Sequence, residues 1–203
     1  MDKNKVVLVG RLATEPAVSH TEDGKVIYKA FVESARLSGV VDRVRINVNS
    51  EWLCNQDLHK GDGVAINGEL VTHNQKVANG KTKLVLKVKV DSIHRIDING
   101  CERDENIIDF TGYVCKDVVS RETPLGRRVA DVFVAINGKN GVSYVPCLVW
   151  NDACDIAEEF RLGAKIEALG RIQSREYQKR LPNGTYQKHT AFEVSVFTIR
   201  EST

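Results

Sequence analysis

The residues of this chain best suited to chemistry are aromatic and cationic, and they gather between Tyr144 and Lys188. In the strand-like run Ser143 to Trp150, Val145, Cys147 and Val149 alternate with Tyr144, Pro146, Leu148 and Trp150, which sets two aromatics opposite an aliphatic face. In the strand-like run that begins at Ala164, Ile166, Ala168, Gly170 and Ile172 share one parity, while Arg171, Arg175, Tyr177 and, just past its end, Lys179 share the other. Arg180, Tyr186 and Lys188 flank the turn signal Asn183-Gly184. Flat rings stack on bases and cations neutralise phosphates, so this alternation predicts a platform for single-stranded nucleic acid. The plainer alternatives are aromatics that pack and cations that are only solvated. The parity of Trp150 and Tyr177, opposite the aliphatic face of their own strands, argues against the first.

Catalytic signatures are missing. Gly80-Lys81-Thr82 looks like the end of a phosphate loop, but Gln75 stands where the earlier glycine belongs and no strand-to-helix transition follows. There is no G-x-S-x-G elbow and no H-E-x-x-H. Cysteines at 54, 101, 115, 147 and 154 lack C-x-x-C spacing, and histidines at 20, 59, 73, 94 and 189 form no ligand pattern. The expectation is a protein with no catalytic residue, no metal and no cofactor.

The elements that must position the platform occur twice. Gly10 matches Gly112, Thr21 Thr123, Gly24 Gly126, Phe31 Phe133, Gly61 Gly163 and Gly68 Gly170, a period of about 102 residues that marks two copies of one domain. In the second copy, strands are expected near Ile107 to Val114, Val129 to Asn137, Ser143 to Trp150, Ala164 to Gln178 and Gln187 to Ile199. A short helix capped by Asp152 and stopped by Gly163 lies between the third and fourth. The first copy has strands at Val6 to Leu12, Val26 to Ala35, Arg43 to Asn49, Val64 to Thr72 and Leu84 to Val90, with a turn at Thr21 to Gly24. Its helix is capped by Ser50, and Asn79-Gly80 joins its last two strands. Five strands and one helix per copy suggest a small barrel.

A strand ending in VW, a helix, the run RLGAKIEALGRI and an aromatic after SRE together resemble the bacterial single-stranded DNA-binding protein family, and NKVVLVGRL at Asn4 to Leu12 is similar to its first strand. The resemblance implies an all-β fold of two five-stranded OB barrels in tandem: residues 1–96, a linker at 97–105, and 106–203. It places the family's stacking aromatics on Tyr144, Trp150 and Tyr177; a fourth would lie near Asn137 to Asn140, where there is none. The implied function is a non-enzymatic protein that coats single-stranded DNA in replication, repair or recombination. A scaffolding OB protein of a primosome-like or mobile-element assembly, and a single-stranded RNA binder, stay open as alternatives, because stacking and phosphate contacts do not read the 2′-hydroxyl. Family members with one barrel form tetramers, so two chains of this kind are expected to form a homodimer with four barrels, pairing through edges such as Val6 to Leu12. Many members end in an acidic tail that recruits partners; this chain closes on FTIREST, so the expectation is either that partners are not recruited this way or that another protein supplies the tail.

The net charge of +2 is too small to predict nucleic-acid binding alone. Its placement says more: Lys165 to His189 holds six Lys or Arg against two Glu. Aligning the copies sets Arg43, Asn49 and Gln75 where the second has Tyr144, Trp150 and Tyr177. The first copy, with Arg43 and Arg45, is therefore expected to keep phosphate contacts and lose stacking. No apolar run is long enough for a membrane span and the N-terminus does not read as a secretory signal, so a cytoplasmic, nucleoid-associated protein that binds no membrane is expected.

Overall fold

The computed structural model describes residues 1–54, 56–76, 80, 82–98, 104–123, 125–139, 141–180 and 184–202, and within these the side chains of Cys54, Tyr177, Lys179, Arg180 and His189 lie outside the description. The first repeat comprises β1 (Asn4–Leu12), β2 (Ala17–Glu22), β3 (Lys25–Ala35), β4 (Val41–Asn49), α1 (Ser50–Cys54), β5 (Gly63–Lys76) and β6 (Thr82–Ile96). The second follows the same order: β7 (Glu105–Val114), β8 (Val119–Glu122), β9 (Arg128–Gly138), β10 (Gly141–Trp150), α2 (Ala153–Glu158), β11 (Lys165–Arg180) and β12 (Tyr186–Glu201). Glu105, assigned to the linker from sequence, is already in β7, and residues 99–103 of that linker lie outside the described ones.

Each repeat closes into an OB barrel. The order is β3-β4-β6-β5-β1, with β4 and β6 parallel, and Arg11↔Glu33 and Leu12↔Val32 pair β1 back to β3. The second barrel repeats this as β9-β10-β12-β11-β7, closed by Tyr113↔Ala135 and Val114↔Val134. The short β2 and β8 each extend one edge. Alternation places Leu8, Ile46, Ile66 and Leu70 in the first core, and Ile108, Phe110, Ile136 and Ile166 in the second. Of the repeated glycines, Gly24, Gly61, Gly126 and Gly163 take positive φ, whereas Gly10, Gly68, Gly112 and Gly170 sit where strands cross closely. A Cβ on Gly10 would collide with Glu33 O, and one on Gly112 would lie 2.7 Å from Ala135 O, both at barrel closure.

Two helix starts differ from the sequence reading. Asn49, not Ser50, caps α1, since its Oδ1 accepts from the Glu51 N–H at 3.2 Å. Asp152 makes no side-chain capping bond. The left-handed backbone of Asn151 (φ 53°) brings its carbonyl within 2.9 Å of the Cys154 N–H, so the main chain closes that turn.

The two barrels are fused by main chain. β1 pairs with β7 from Asn4↔Phe110 to Val9↔Glu105 while its other edge pairs with β5. The expected route to a homodimer through the β1 edge is therefore corrected: the chain's own second repeat occupies it. A near two-fold set of bonds surrounds the ladder. Asn4 donates to Leu70 O at 2.9 Å and accepts from the Leu70 N–H at 3.0 Å; Asn106 does the same with Ile172 at 2.7 and 3.0 Å. Thr72 Oγ1 accepts from the Tyr144 N–H at 2.8 Å, as Ser174 Oγ accepts from the Arg43 N–H at 3.1 Å. Among the described residues, no helix is long and apolar enough to cross a membrane.

Gly10→Ala and Gly112→Ala are each expected to destabilise the protein by about 1–3 kcal/mol, because the added methyl overpacks a closed barrel seam. Denaturant midpoints of the two variants check this; unchanged midpoints contradict the closure geometry.

Candidate nucleic-acid interface

The second barrel presents its platform across β9, β10, β11 and β12. Tyr144 is 46% exposed and its ring stacks on Phe133, with centroids 6.3 Å apart and planes 11° from parallel. The Lys116 ammonium lies 4.4 Å from the Phe133 centroid. Trp150, at the end of β10, is half-buried, and its indole N–H donates to Ser195 Oγ at 3.1 Å, which fixes the ring while leaving it on the rim of a groove. That groove, of about 710 Å³, is lined by Arg36, Arg127, Trp150, Arg171, Arg175 and Phe197 among others. Four guanidiniums around an indole suit phosphates and a stacked base.

Arg36 comes from the first repeat, at the turn between β3 and β4. It forms a two-point pair with Asp42, Nε to Oδ2 at 2.7 Å and Nη2 to Oδ1 at 2.6 Å, and also reaches Gln173 Oε1 at 3.3 Å. Asp42 is 1% exposed and accepts from the Ser174 N–H at 3.3 Å. Gln173 donates to Glu193 Oε1 at 2.9 Å, and Arg175 Nε donates to the same oxygen at 3.2 Å. The hydrogen bond to Asp42 holds the Arg36 guanidinium above the ordinary arginine value. A polar chain thus runs from the first repeat to the middle of the second repeat's face, and the rim of that groove belongs to both repeats.

The predicted residues divide accordingly. Trp150, Arg171 and Arg175 line one groove, Tyr144 is exposed on the same strand as Trp150, and Tyr186 (64% exposed) and Lys188 are exposed on β12. The side chains of Tyr177, Lys179 and Arg180 lie outside the described residues. Arg171 departs from the freely solvated cation its parity predicts: it is half-buried, its Nε has no hydrogen-bond partner, and its guanidinium sits 5.4 Å from the Phe197 ring centroid. Burial, then the neighbouring Arg36, pull it below the ordinary arginine value. Arg128 is bound to Asp155 and Glu158 of α2, at 2.5 and 2.7 Å.

Sequence reasoning missed Phe133 as a member of the platform, although it alternates with Val132 and Val134 and so shares the outward parity of Asp131. The sequence matched Phe31 to Phe133 and Arg43 to Tyr144, but not the contacts among them. In the first repeat Phe31 pairs with Arg45 in register as Phe133 pairs with Pro146, and the guanidiniums of Arg43 and Arg45 lie 4.7 and 5.3 Å from its centroid. Arg43 thus occupies the position of Tyr144, a planar cation in place of a phenol. Asn49, opposite Trp150, is engaged in capping α1, and Trp52 packs edge-on to His94 with centroids 6.2 Å apart.

A family model described as "Single-strand binding protein family" matches residues 3–96 and 106–200. The chain is 24% identical over 200 residues to a single-stranded DNA-binding protein of Deinococcus radiodurans, covering 83% of this chain and 66% of that protein. It is 25% identical over 196 residues to one of Thermus thermophilus, covering 83% and 74%. Among solved structures, the wild-type single-stranded DNA binding protein from Thermus aquaticus superposes with a TM-score of 0.76 over 100% of this chain and 94% of that chain, at 21% identity, which is a likeness of fold.

Proposed function

The chain belongs to the single-strand binding protein family, and from that membership together with the platform around Trp150 we propose that it is a non-enzymatic protein that binds and coats single-stranded DNA in replication, repair or recombination. The observation that carries the reading is the indole of Trp150, held by Ser195 at the rim of a groove lined with four arginines. A base stacks on Trp150, and others stack on Tyr144 with Phe133 behind it. Arg175, Arg127 and Arg36 meet phosphates, with Arg171 beneath them. The β11–β12 hairpin, through Tyr177, Lys179, Arg180, Tyr186 and Lys188, extends the same path. The two binding units are residues 1–96 and 105–203, joined by 97–104. Relatives named single-stranded DNA-binding proteins favour DNA over RNA and over a scaffold.

Two chains assemble into four barrels. With the β1 edge spent, the surface left for this is the outer face of the joined sheet. There Val7 pairs with Ile107, and Leu169, 36% exposed, lies beside Asp109. Closed two-fold association is the commonest arrangement of soluble chains.

Single-stranded DNA is expected to quench tryptophan fluorescence, and Trp150→Ala to weaken binding by roughly 1–3 kcal/mol with the fold intact by circular dichroism. Unchanged affinity in that variant contradicts the assignment. Sedimentation is expected to give the mass of two chains, and Leu169→Asp that of one. A single-chain mass for the parent protein across the micromolar range removes the homodimer.

A further inference from the structure

Two of the arginines around the Trp150 groove, Arg36 and Arg175, are held by buried carboxylates, Asp42 and Glu193, although a polyanion is the expected ligand. On β12, Val194 and Val196 point into the core, whereas Glu193 and Ser195 are buried polar residues of the opposite parity. Ser195 takes the indole N–H of Trp150, and Glu193 takes the Nε–H of Arg175 at 3.2 Å. Arg175 is thereby fixed at the part of its guanidinium nearest the main chain, while 52% of its side chain stays exposed at the groove. Glu193 is itself oriented. It lies opposite Gln173 in the β11–β12 ladder, and the buried Gln173 amide donates to the same Glu193 oxygen that Arg175 uses. The other end of that amide accepts from Arg36 at 3.3 Å. An amide has one accepting and one donating end, so reversing it sets its oxygen against Glu193 and its NH₂ against the Arg36 guanidinium. Arg36, locked by Asp42, therefore decides which way Gln173 points. The first repeat has no such arrangement: Val71 and Lys87 are paired there where the second repeat pairs Gln173 with Glu193, as the matching parallel pairs Ile46↔Val88 and Cys147↔Val194 show.

We propose that Glu193 is a positioning residue for single-strand binding: it acts through Arg175, and Gln173, oriented by Arg36 of the first repeat, keeps it aimed. The inference rests on the reading of the chain as a single-strand binder. By charge alone a carboxylate beneath the groove repels phosphate and weakens binding. Its opposing effect is order. A long arginine side chain that swings freely loses that freedom when a strand arrives, whereas one already held at Nε has less to lose. The buried amide makes the arrangement mutually supporting, because Gln173 cannot turn without leaving Glu193 or Arg36 facing a group of its own polarity. The same face of β12 fixes the indole through Ser195, so the stacking ring and the guanidinium are presented at a set spacing.

The test titrates the full chain with a single-stranded DNA oligonucleotide at fixed salt, followed by tryptophan quenching, for the parent, Glu193→Gln, Arg175→Gln and the double variant. Glu193→Gln keeps the size of the side chain and removes a negative charge from beneath the groove. It is nevertheless expected to weaken binding, by roughly 2-fold to 10-fold, the effect of ordering one long side chain on association. In the Arg175→Gln background the same change is expected to have no effect, so the double variant matches Arg175→Gln. Gln173→Met, which removes the amide and leaves every charge in place, is expected to show the same loss and the same dependence on Arg175. Circular dichroism and denaturant midpoints check that each variant is folded; where Glu193→Gln is not, Gln173→Met carries the test. Tighter or unchanged binding by Glu193→Gln overturns the proposal, since the carboxylate then only opposes the strand. Equal losses with and without Arg175 overturn it too, since the effect is then a general one on the face. A parent chain that binds no single strand defeats the single-strand reading and this proposal together, whereas a parent that binds, with variants that bind as well, defeats this proposal alone.

Discussion

One strand holds this molecule together. β1 is hydrogen-bonded to β5 along one edge and to β7 along the other, and at its end it turns to close the first barrel against β3. An edge strand left open invites pairing with another chain, and here the second repeat supplies that partner within the same chain. The consequence is a single sheet in which the two barrels are related by a near two-fold, with Asn4 and Asn106 making the same pair of bonds on either side. Because that relation is imposed by main chain, the side chains of the two faces were free to diverge without loss of register.

The divergence is chemical. On one side the pair Phe133 and Tyr144, with Trp150 beyond it, offers flat apolar surface. On the other Phe31 lies under Arg43 and Arg45. Stacking draws on dispersion and desolvation and is insensitive to salt in comparison with phosphate contacts, which act by counterion release. The two faces thus offer interactions that respond differently to salt. The turn between β3 and β4 ties them: Arg36, locked by Asp42, reaches across to Gln173, and Gln173 bonds Glu193 beside Arg175.

Most of the fold was legible in the sequence, and the reasons are local. Alternation in Ser143 to Trp150 gave the inward set Val145, Cys147 and Val149 correctly, and the glycine matches marked the repeat, two of them, Gly10 and Gly112, at barrel seams where no Cβ fits. What escaped depended on distant pairing. Arg171 has the parity of a solvated residue, but the bulge that offsets Leu169 and Gly170 against β12 leaves Phe197 beside its guanidinium. The use of the β1 edge by β7 is likewise a property of topology that no single strand displays. Phe133 was legible by parity but was read only as a marker of the repeat.

The central claim is that bases stack on the second repeat and not on the first. Photo-crosslinking of the full chain to single-stranded DNA carrying halogenated bases, followed by mapping of the linked residues, tests it most directly. The account predicts base crosslinks at Trp150, Tyr144 and Phe133, and none at Trp52. Crosslinks concentrated at Trp52 or Phe31, with none in the second repeat, contradict it.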